Sequence, residues 1–188
     1  QGAEFTVRSS ALDEPLSPTN FNIKPGSNQG SAAMRAAKID QRAVFVGRSG
    51  VKVFQLEMGS NYPSFDYVAT DMTAIVPELG RPGIVRMAVQ RQPDTRVHCV
   101  RSDGVAMVGV SDKNEDVLAW VTVSTDGVIE DVVVLPAVVG SIDDQVYYVV
   151  RRVINGATVR YLEKWAQELD CRGDKPLCDL ADSYTSFS

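Results

Sequence analysis

One pattern limits this chain more than any other: a hairpin written three times. Val44-Phe45-Val46-Gly47-Arg48-Ser49-Gly50-Val51-Lys52-Val53-Phe54 is the first copy. Val97-His98-Cys99-Val100-Arg101-Ser102-Asp103-Gly104-Val105-Ala106-Met107 is the second. Tyr147-Tyr148-Val149-Val150-Arg151-Arg152-Val153-Ile154-Asn155-Gly156-Ala157-Thr158-Val159 is the third. Each joins a β-branched or aromatic run, an arginine, a short polar turn closed by glycine, and a second apolar run. The turn glycines Gly50, Gly104 and Gly156 recur at intervals of 54 and 52 residues. Asp-Gly and Asn-Gly accept the positive φ that tight hairpin turns require, and Ser49-Gly50 is a weaker form of the same signal.

The flanks repeat as well. An apolar stretch precedes each hairpin: Ala32 to Ile39, Ile84 to Val89 and Val128 to Leu135. A fourth stretch follows the first two, Tyr67 to Thr73 and Val117 to Ser124, and Tyr184 to Phe187 stands in the matching place after the third. Four antiparallel strands at a period of roughly 40–50 residues are what a β-propeller blade needs. The sequence therefore predicts an all-β fold of about three consecutive four-stranded antiparallel blades, spanning 30–75, 83–125 and 127–188. Residues 1–29 then supply a preceding strand, Phe5 to Arg8, and a loop. Pro15 to Gly30 and Gly59 to Ser64 are rich in Pro, Gly, Asn and Ser and read as loops.

Period-two alternation supports strands. Tyr147, Val149 and Arg151 share one face, and Tyr148, Val150 and Arg152 share the other. Both faces are apolar there and in Val117 to Val123, as expected of strands stacked between neighbouring blades. Tyr161, Trp165 and Leu169 fall at helical spacing, yet they continue a hairpin, so strand is expected to about Trp165 and loop beyond. Stacked repeats bury their faces only against neighbours, and closed propellers have four to eight blades. Three blades thus predict part of a larger propeller, completed by a longer chain or another subunit. The opening Gln1-Gly2-Ala3-Glu4-Phe5-Thr6-Val7, which reads like the middle of a strand-bearing sequence, points the same way.

Composition narrows function by exclusion. A net charge of −5 argues against a duplex binder that works by neutralising phosphates, while an acidic wall suits DNA passing without sticking. The apolar fraction of 44% is enough for a packed core. No run approaches the roughly 18 apolar residues of a membrane span. Cys99, Cys171 and Cys178 form no regular framework and read as free thiols of a reducing compartment.

Chemistry-bearing residues are sparse. His98, the single histidine, sits mid-strand beside Cys99, and both read as structural rather than as base and nucleophile. One histidine without a close cysteine pair excludes an ordinary zinc site. Asp112, Asn114, Glu115 and Asp116 resemble a calcium loop but lack its glycine and closing glutamate, so a solvated turn is expected. Asp103, Asp126, Asp143 and Asp144 are the carboxylates a glycosidase would use, and each lies where Asp favours turn geometry. Ser124-Thr125-Asp126-Gly127 resembles the aspartate box of sialidase-like propellers without its trailing aromatic. No phosphate loop is present. Arg81, Arg86, Arg91, Arg96 and Arg101 recur every five residues, which scatters them over both faces of a strand and predicts solvated or ion-paired roles.

The ordered series Asp66-Tyr67-Val68-Ala69-Thr70-Asp71-Met72-Thr73, Gly83-Ile84-Val85-Arg86-Met87-Ala88-Val89-Gln90, Val100-Arg101-Ser102-Asp103-Gly104, Val117-Leu118-Ala119-Trp120 and Val149-Val150-Arg151-Arg152-Val153-Ile154-Asn155-Gly156 resembles the β-propeller region of tailed-bacteriophage tail hub or nozzle-type structural proteins. The resemblance spans nearly the whole chain. It implies a non-enzymatic virion component at the tail, assembled in the host cytoplasm and present as several copies in a ring. Its partners would be other tail proteins: adaptor, tail fibre or portal-proximal. DNA would pass without specific binding, and no cofactor or metal is implied. The family's members are usually much longer. The competing expectation is a carbohydrate-binding or glycan-cleaving propeller in receptor recognition, with Trp120 and Trp165 as stacking residues; their apolar neighbours favour core roles. A host repeat scaffold is the third reading.

Overall fold

The computed structural model describes residues 2–9, 14–59, 67–112 and 115–166, and among them every regular element is a strand. β1 (Glu4–Arg8) and β2 (Asn22–Ser27) form a two-stranded hairpin. β3 (Ala37–Ile39), β4 (Arg42–Val46), β5 (Val53–Met58) and β6 (Tyr67–Asp71) form the first meander sheet. β7 (Ile84–Gln90), β8 (Arg96–Arg101), β9 (Ala106–Asp112) and β10 (Val117–Val123) form the second. β11 (Val128–Leu135), β12 (Gln145–Ile154) and β13 (Ala157–Lys164) form a third sheet of three strands among the described residues. All neighbours pair antiparallel. The fourth strand expected at Tyr184 to Phe187 lies outside the described residues.

The sheets stack face to face, and period-two alternation decides which side chain enters which seam. Val97, Cys99 and Met107 leave sheet 2 toward sheet 1 and meet Ile39, Val44, Val46, Val53 and Met72 in one core cluster. Val100 and Ala106 leave the opposite face and meet Ile129, Val132, Val146, Tyr148 and Val150 of sheet 3 in a second. Full burial of side chains of this size stabilises by ~1.5–3 kcal/mol each, so the two seams hold the stack together. Between adjacent sheets, β11 comes close to β7 and β8, and β3 comes close to β7.

Two of the predicted turns also fasten one sheet to the next. In the second hairpin Arg101 N–H donates to the Val105 carbonyl at 2.9 Å and Gly104 N–H to the Arg101 carbonyl at 3.1 Å, with Gly104 at φ 82°. The Gly104 carbonyl then accepts the N–H of Ile129, near the start of sheet 3, at 2.9 Å. The first hairpin repeats the device: Gly50, at φ 74°, accepts the N–H of Ile84, the first residue of sheet 2, at 2.7 Å.

The third turn has the positive φ of the other two but a different setting. Ile154 pairs directly with Ala157, leaving a two-residue turn with Asn155 at φ 49° and Gly156 at φ 79°. That is the primed hairpin turn its Asn-Gly dipeptide demands. β12 and β13 run on past the point where the other hairpins turn back, and among the described residues no following strand meets Gly156.

Other expectations need correction. The stretch read as loop over 15–30 contains β2, where Pro25 is tolerated because the strand pairs on one side only. The first strand of sheet 1 is short: Ala37–Ile39 is paired, and only an isolated bridge joins Ser31 to Gly47. β10 is not buried between neighbours. It is the outer edge of its sheet, and Val117, Leu118 and Val121 are exposed. In β12 one face is buried (Val146, Tyr148, Val150), while Tyr147 and Val149 are only half-buried. The strand expected to about Trp165, against its helical spacing with Tyr161, is present: β13 continues to Lys164 and Trp165 N–H closes on the Val146 carbonyl at 2.9 Å.

Candidate functional site

The most polar point of the interior is His98, which is fully buried on β8 and faces sheet 3. Its ring has two partners: Nδ1 lies 2.7 Å from the Tyr148 hydroxyl and Nε2 3.1 Å from Gln90 Oε1. The direction of both bonds follows from Gln90, whose amide nitrogen donates to the Gln92 carbonyl at 2.7 Å. Gln90 Oε1 is thus the acceptor, Nε2–H donates to it, and Nδ1 accepts the Tyr148 O–H. Trp165 stands edge-on to the imidazole, with ring centroids 4.9 Å apart, and to Tyr148 at 5.8 Å.

Electrostatics removes His98 from proton transfer near neutrality. Burial, reinforced by the positive charge of Arg96, holds its pKa at about 3. A general base works best with a pKa near the operating pH. Burial also pushes the neighbouring Cys99 thiol up to about 12, so the reactive thiolate is suppressed. Cys99 moreover faces sheet 1 while His98 faces sheet 3, so the adjacent pair in sequence points into different seams. Cys171 and Cys178 lie outside the described residues.

The tryptophans sit in seams. Trp120 Nε1 donates across to the Met72 carbonyl of sheet 1 at 2.8 Å, and its ring covers Gly109, where an added Cβ would come within 2.8 Å of ring atoms. Trp165 closes the His98 seam. Trp165 also lines a small cavity of about 160 Å³ together with Thr125, Tyr148 and Glu163.

The candidate carboxylates are dispersed. Asp103 holds Arg101 through a two-pronged ion pair and accepts the Val105 N–H, and the Arg101 hydrogen bond keeps its carboxyl below the usual value. Asp126 is exposed, and its backbone carbonyl accepts from Arg152. Asp144 ties sheet 3 to the β7–β8 turn: Oδ2 accepts the N–H groups of Arg91 (2.8 Å) and Gln92 (3.1 Å), and Oδ1 that of Ala137 (3.1 Å). Asp143, next to it, is buried. Asp103 and Asp144 thus occupy opposite ends of β8, a six-residue strand about 20 Å long. Glycosidase carboxylates stand roughly 5–9.5 Å apart, so these two cannot act on one bond.

Four of the five arginines at five-residue spacing, all but Arg81, are engaged by separate partners. Arg86 pairs with Asp131 (3.4 Å), Arg96 with Asp94 (2.9 Å) and Arg101 with Asp103, while Arg91 donates to the Lys38 carbonyl (3.1 Å). They build no common groove.

A cleft of about 730 Å³ opens where the β3–β4, β7–β8 and β9–β10 turns meet. Asp40, Asp94, Asp112 and Glu115 line it with Arg42 and Arg91. Its arginines are already held, Arg42 by Gln55 at 2.9 Å, and no aromatic ring lines it among the described residues. Glu115 N–H caps the Asp112 carboxylate at 3.3 Å, and Asp116 takes φ 53°, so the calcium-like stretch behaves as a turn over its described part; Asn114 lies outside it. No group of three metal-ligating side chains occurs among the described residues.

Sequence reasoning missed Gln90, Tyr148 and Asp144 as partners. Gln90 carries the one available signal, an uncharged polar residue closing an apolar strand. The pairing of His98 with Tyr148 spans 50 residues and follows from stacking alone. Comparison of the chain with protein-family models and with curated protein sequences finds no match.

Proposed function

We propose that these sheets are consecutive blades of a β-propeller and that the chain is a non-enzymatic structural component of a phage tail, of the hub or nozzle type. The observation that carries the blade reading is the repeated fastening of turn to first strand, Gly50 to Ile84 and Gly104 to Ile129, together with the close approach of β3, β7 and β11. Sheets that converge on their first strands fan around an axis, as blades do. A scaffold role is supported by where the chemistry-bearing groups go: His98 and Cys99 are buried in seams, and Asp103 and Asp144 hold turns together.

The tail assignment rests on the ordered series of strand and turn segments that resembles tail hub and nozzle proteins. A net charge of −5 fits a wall that DNA slides past, since like charge disfavours adhesion. In this reading the protein is assembled in the host cytoplasm and contacts further copies and neighbouring tail proteins.

Electron microscopy of the source particle, with an antibody fragment against the exposed Asn155–Gly156 turn, tests it. The reading predicts label in a ring on the tail. Recovery of the polypeptide only as a free protein, with unlabelled particles, removes it.

A further inference from the structure

The two seams differ in what they bury. The cluster between sheets 1 and 2 is apolar, with Cys99 held as a neutral thiol. The seam between sheets 2 and 3 buries His98 completely. Both of its ring nitrogens are bonded to neutral groups from two other strands, the Tyr148 hydroxyl of β12 and the Gln90 amide of β7. Trp165 closes the site edge-on.

The charged groups around the ring do not favour a proton on it. On its own strand Arg96 shares its face, two residues away, and opposes a second positive charge. From β7, Arg86 faces the same seam and pairs with Asp131 of β11 at 3.4 Å. β9 places Val108 beside the ring. β12 carries Arg152, held by Glu163 of β13 at 2.8 Å. The β11–β12 loop brings the buried Asp143 and Asp144, whose two oxygens accept the N–H groups of Arg91, Gln92 and Ala137. A neutral imidazole suits this setting. An imidazolium does not, because a buried charge is costly unless it is paired.

We propose that this seam is an acid-sensitive joint: protonation of His98 favours release of sheet 3 from sheet 2, while the seam between sheets 1 and 2 stays closed. The proposal needs only the packing of sheets 2 and 3 and stands apart from the blade and tail reading. Release lets water reach the ring, which then takes its proton near the ordinary value of 6.5 rather than at about 3. The joint is therefore tight above about pH 6.5 and loosens as pH falls from there toward 3. Over that range its opening constant rises about tenfold per pH unit. Sheet 3 is the part that responds, since a sheet stripped of the face it packs on loses the burial that holds it.

Native-state hydrogen exchange of the full chain at pH 7 and pH 5 tests the joint, in a window above the ordinary carboxylate range, with rates corrected for the intrinsic pH dependence of exchange. The expected result is a roughly 20–30-fold rise in the opening constant across Gln145–Ile154, with Arg42–Val46 and Val53–Met58 unchanged. His98→Phe, which keeps a ring that does not titrate, should abolish the rise. His98→Gln, which keeps hydrogen bonding without titration, should do the same and serves where the phenylalanine does not fold. Proton NMR of the single imidazole gives a second readout: its signal should hold still between pH 7 and pH 5 while exchange quickens. Equal responses in sheets 1 and 3, no response in either, or a rise that survives both variants overturns the proposal. So does an imidazole that titrates near 6.5 with exchange unchanged.

Discussion

The two seams of this molecule are built from opposite materials. Between sheets 1 and 2 the filling is apolar: Val97, Cys99 and Met107 against Val44, Val46, Val53 and Met72, with Trp120 pinned to the Met72 carbonyl at the border. Between sheets 2 and 3 the same kind of apolar filling surrounds a polar network, Gln90–His98–Tyr148 under Trp165. An apolar seam tolerates repacking, because volume is its main demand. A buried polar network accepts one register only, since each donor and acceptor left unpaired in low dielectric is costly. The second seam therefore fixes how sheet 3 sits, at the expense of sensitivity to single changes.

The largest contrast is expected from His98→Ala against Cys99→Ala, two adjacent residues in opposite seams. The first removes a packed ring and strands the Tyr148 hydroxyl and the Gln90 carbonyl, at a cost of about 4 kcal/mol. The second costs about 1–2 kcal/mol. Urea unfolding compares them, and equal losses would contradict the asymmetry.

The turn glycines give the next contrast. A Cβ on Gly104 meets Val128 at 2.6 Å and also needs positive φ, so Gly104→Ala is expected to cost about 2–3 kcal/mol. Gly156 has open space around it, and Gly156→Ala should cost only about 1 kcal/mol, for its φ alone. Thermal melts showing equal shifts would mean that Gly104 does not fasten sheet 3.

Acid provides a smaller and more selective probe. His98 is held at about 3 in the fold against an ordinary value of 6.5, so the unfolded chain binds the proton more readily. Its contribution is complete above about pH 6.5 and is lost as pH falls from there toward 3, by up to about 1.4 kcal/mol per pH unit. The part of the stability slope that His98→Phe abolishes between pH 6 and 4 reads it, and an unchanged slope would deny that His98 titrates upon unfolding. The smallest effect belongs to the surface ion pair of Arg160 with Glu130, 2.7 Å long. Arg160→Ala should leave stability almost unchanged, and salt should shrink even the small difference, which chemical denaturation with and without salt would show.

Much of this architecture is legible in the residues, for identifiable reasons. β11 falls on Val128 to Leu135 as its apolar stretch, interrupted by Glu130 and Asp131, indicates, and β7, β8 and β9 follow from β-branched runs bounded by turn dipeptides. Gly50 and Gly104 take the positive φ expected of them. Sequence does not show that Gly156 belongs to a longer hairpin, because Asn-Gly specifies the turn but not how far the strands extend before it. β2 was hidden by Pro25 and Gly26, which read as loop unless the strand is known to have a free side. The His98 network was hidden more deeply. Its geometry depends on which face of β8 meets which face of β12, and that is a property of stacking rather than of local pattern.

The central claim is graded coverage among the described residues: sheet 2 packed on both faces, sheet 3 on the face toward sheet 2. Hydrogen exchange comparing β8 with β12 tests it directly, since both are central strands paired on both sides and differ mainly in what covers them. The account predicts slower exchange across Arg96–Arg101 than across Gln145–Ile154. Equal protection of the two strands, or the reverse order, would contradict it.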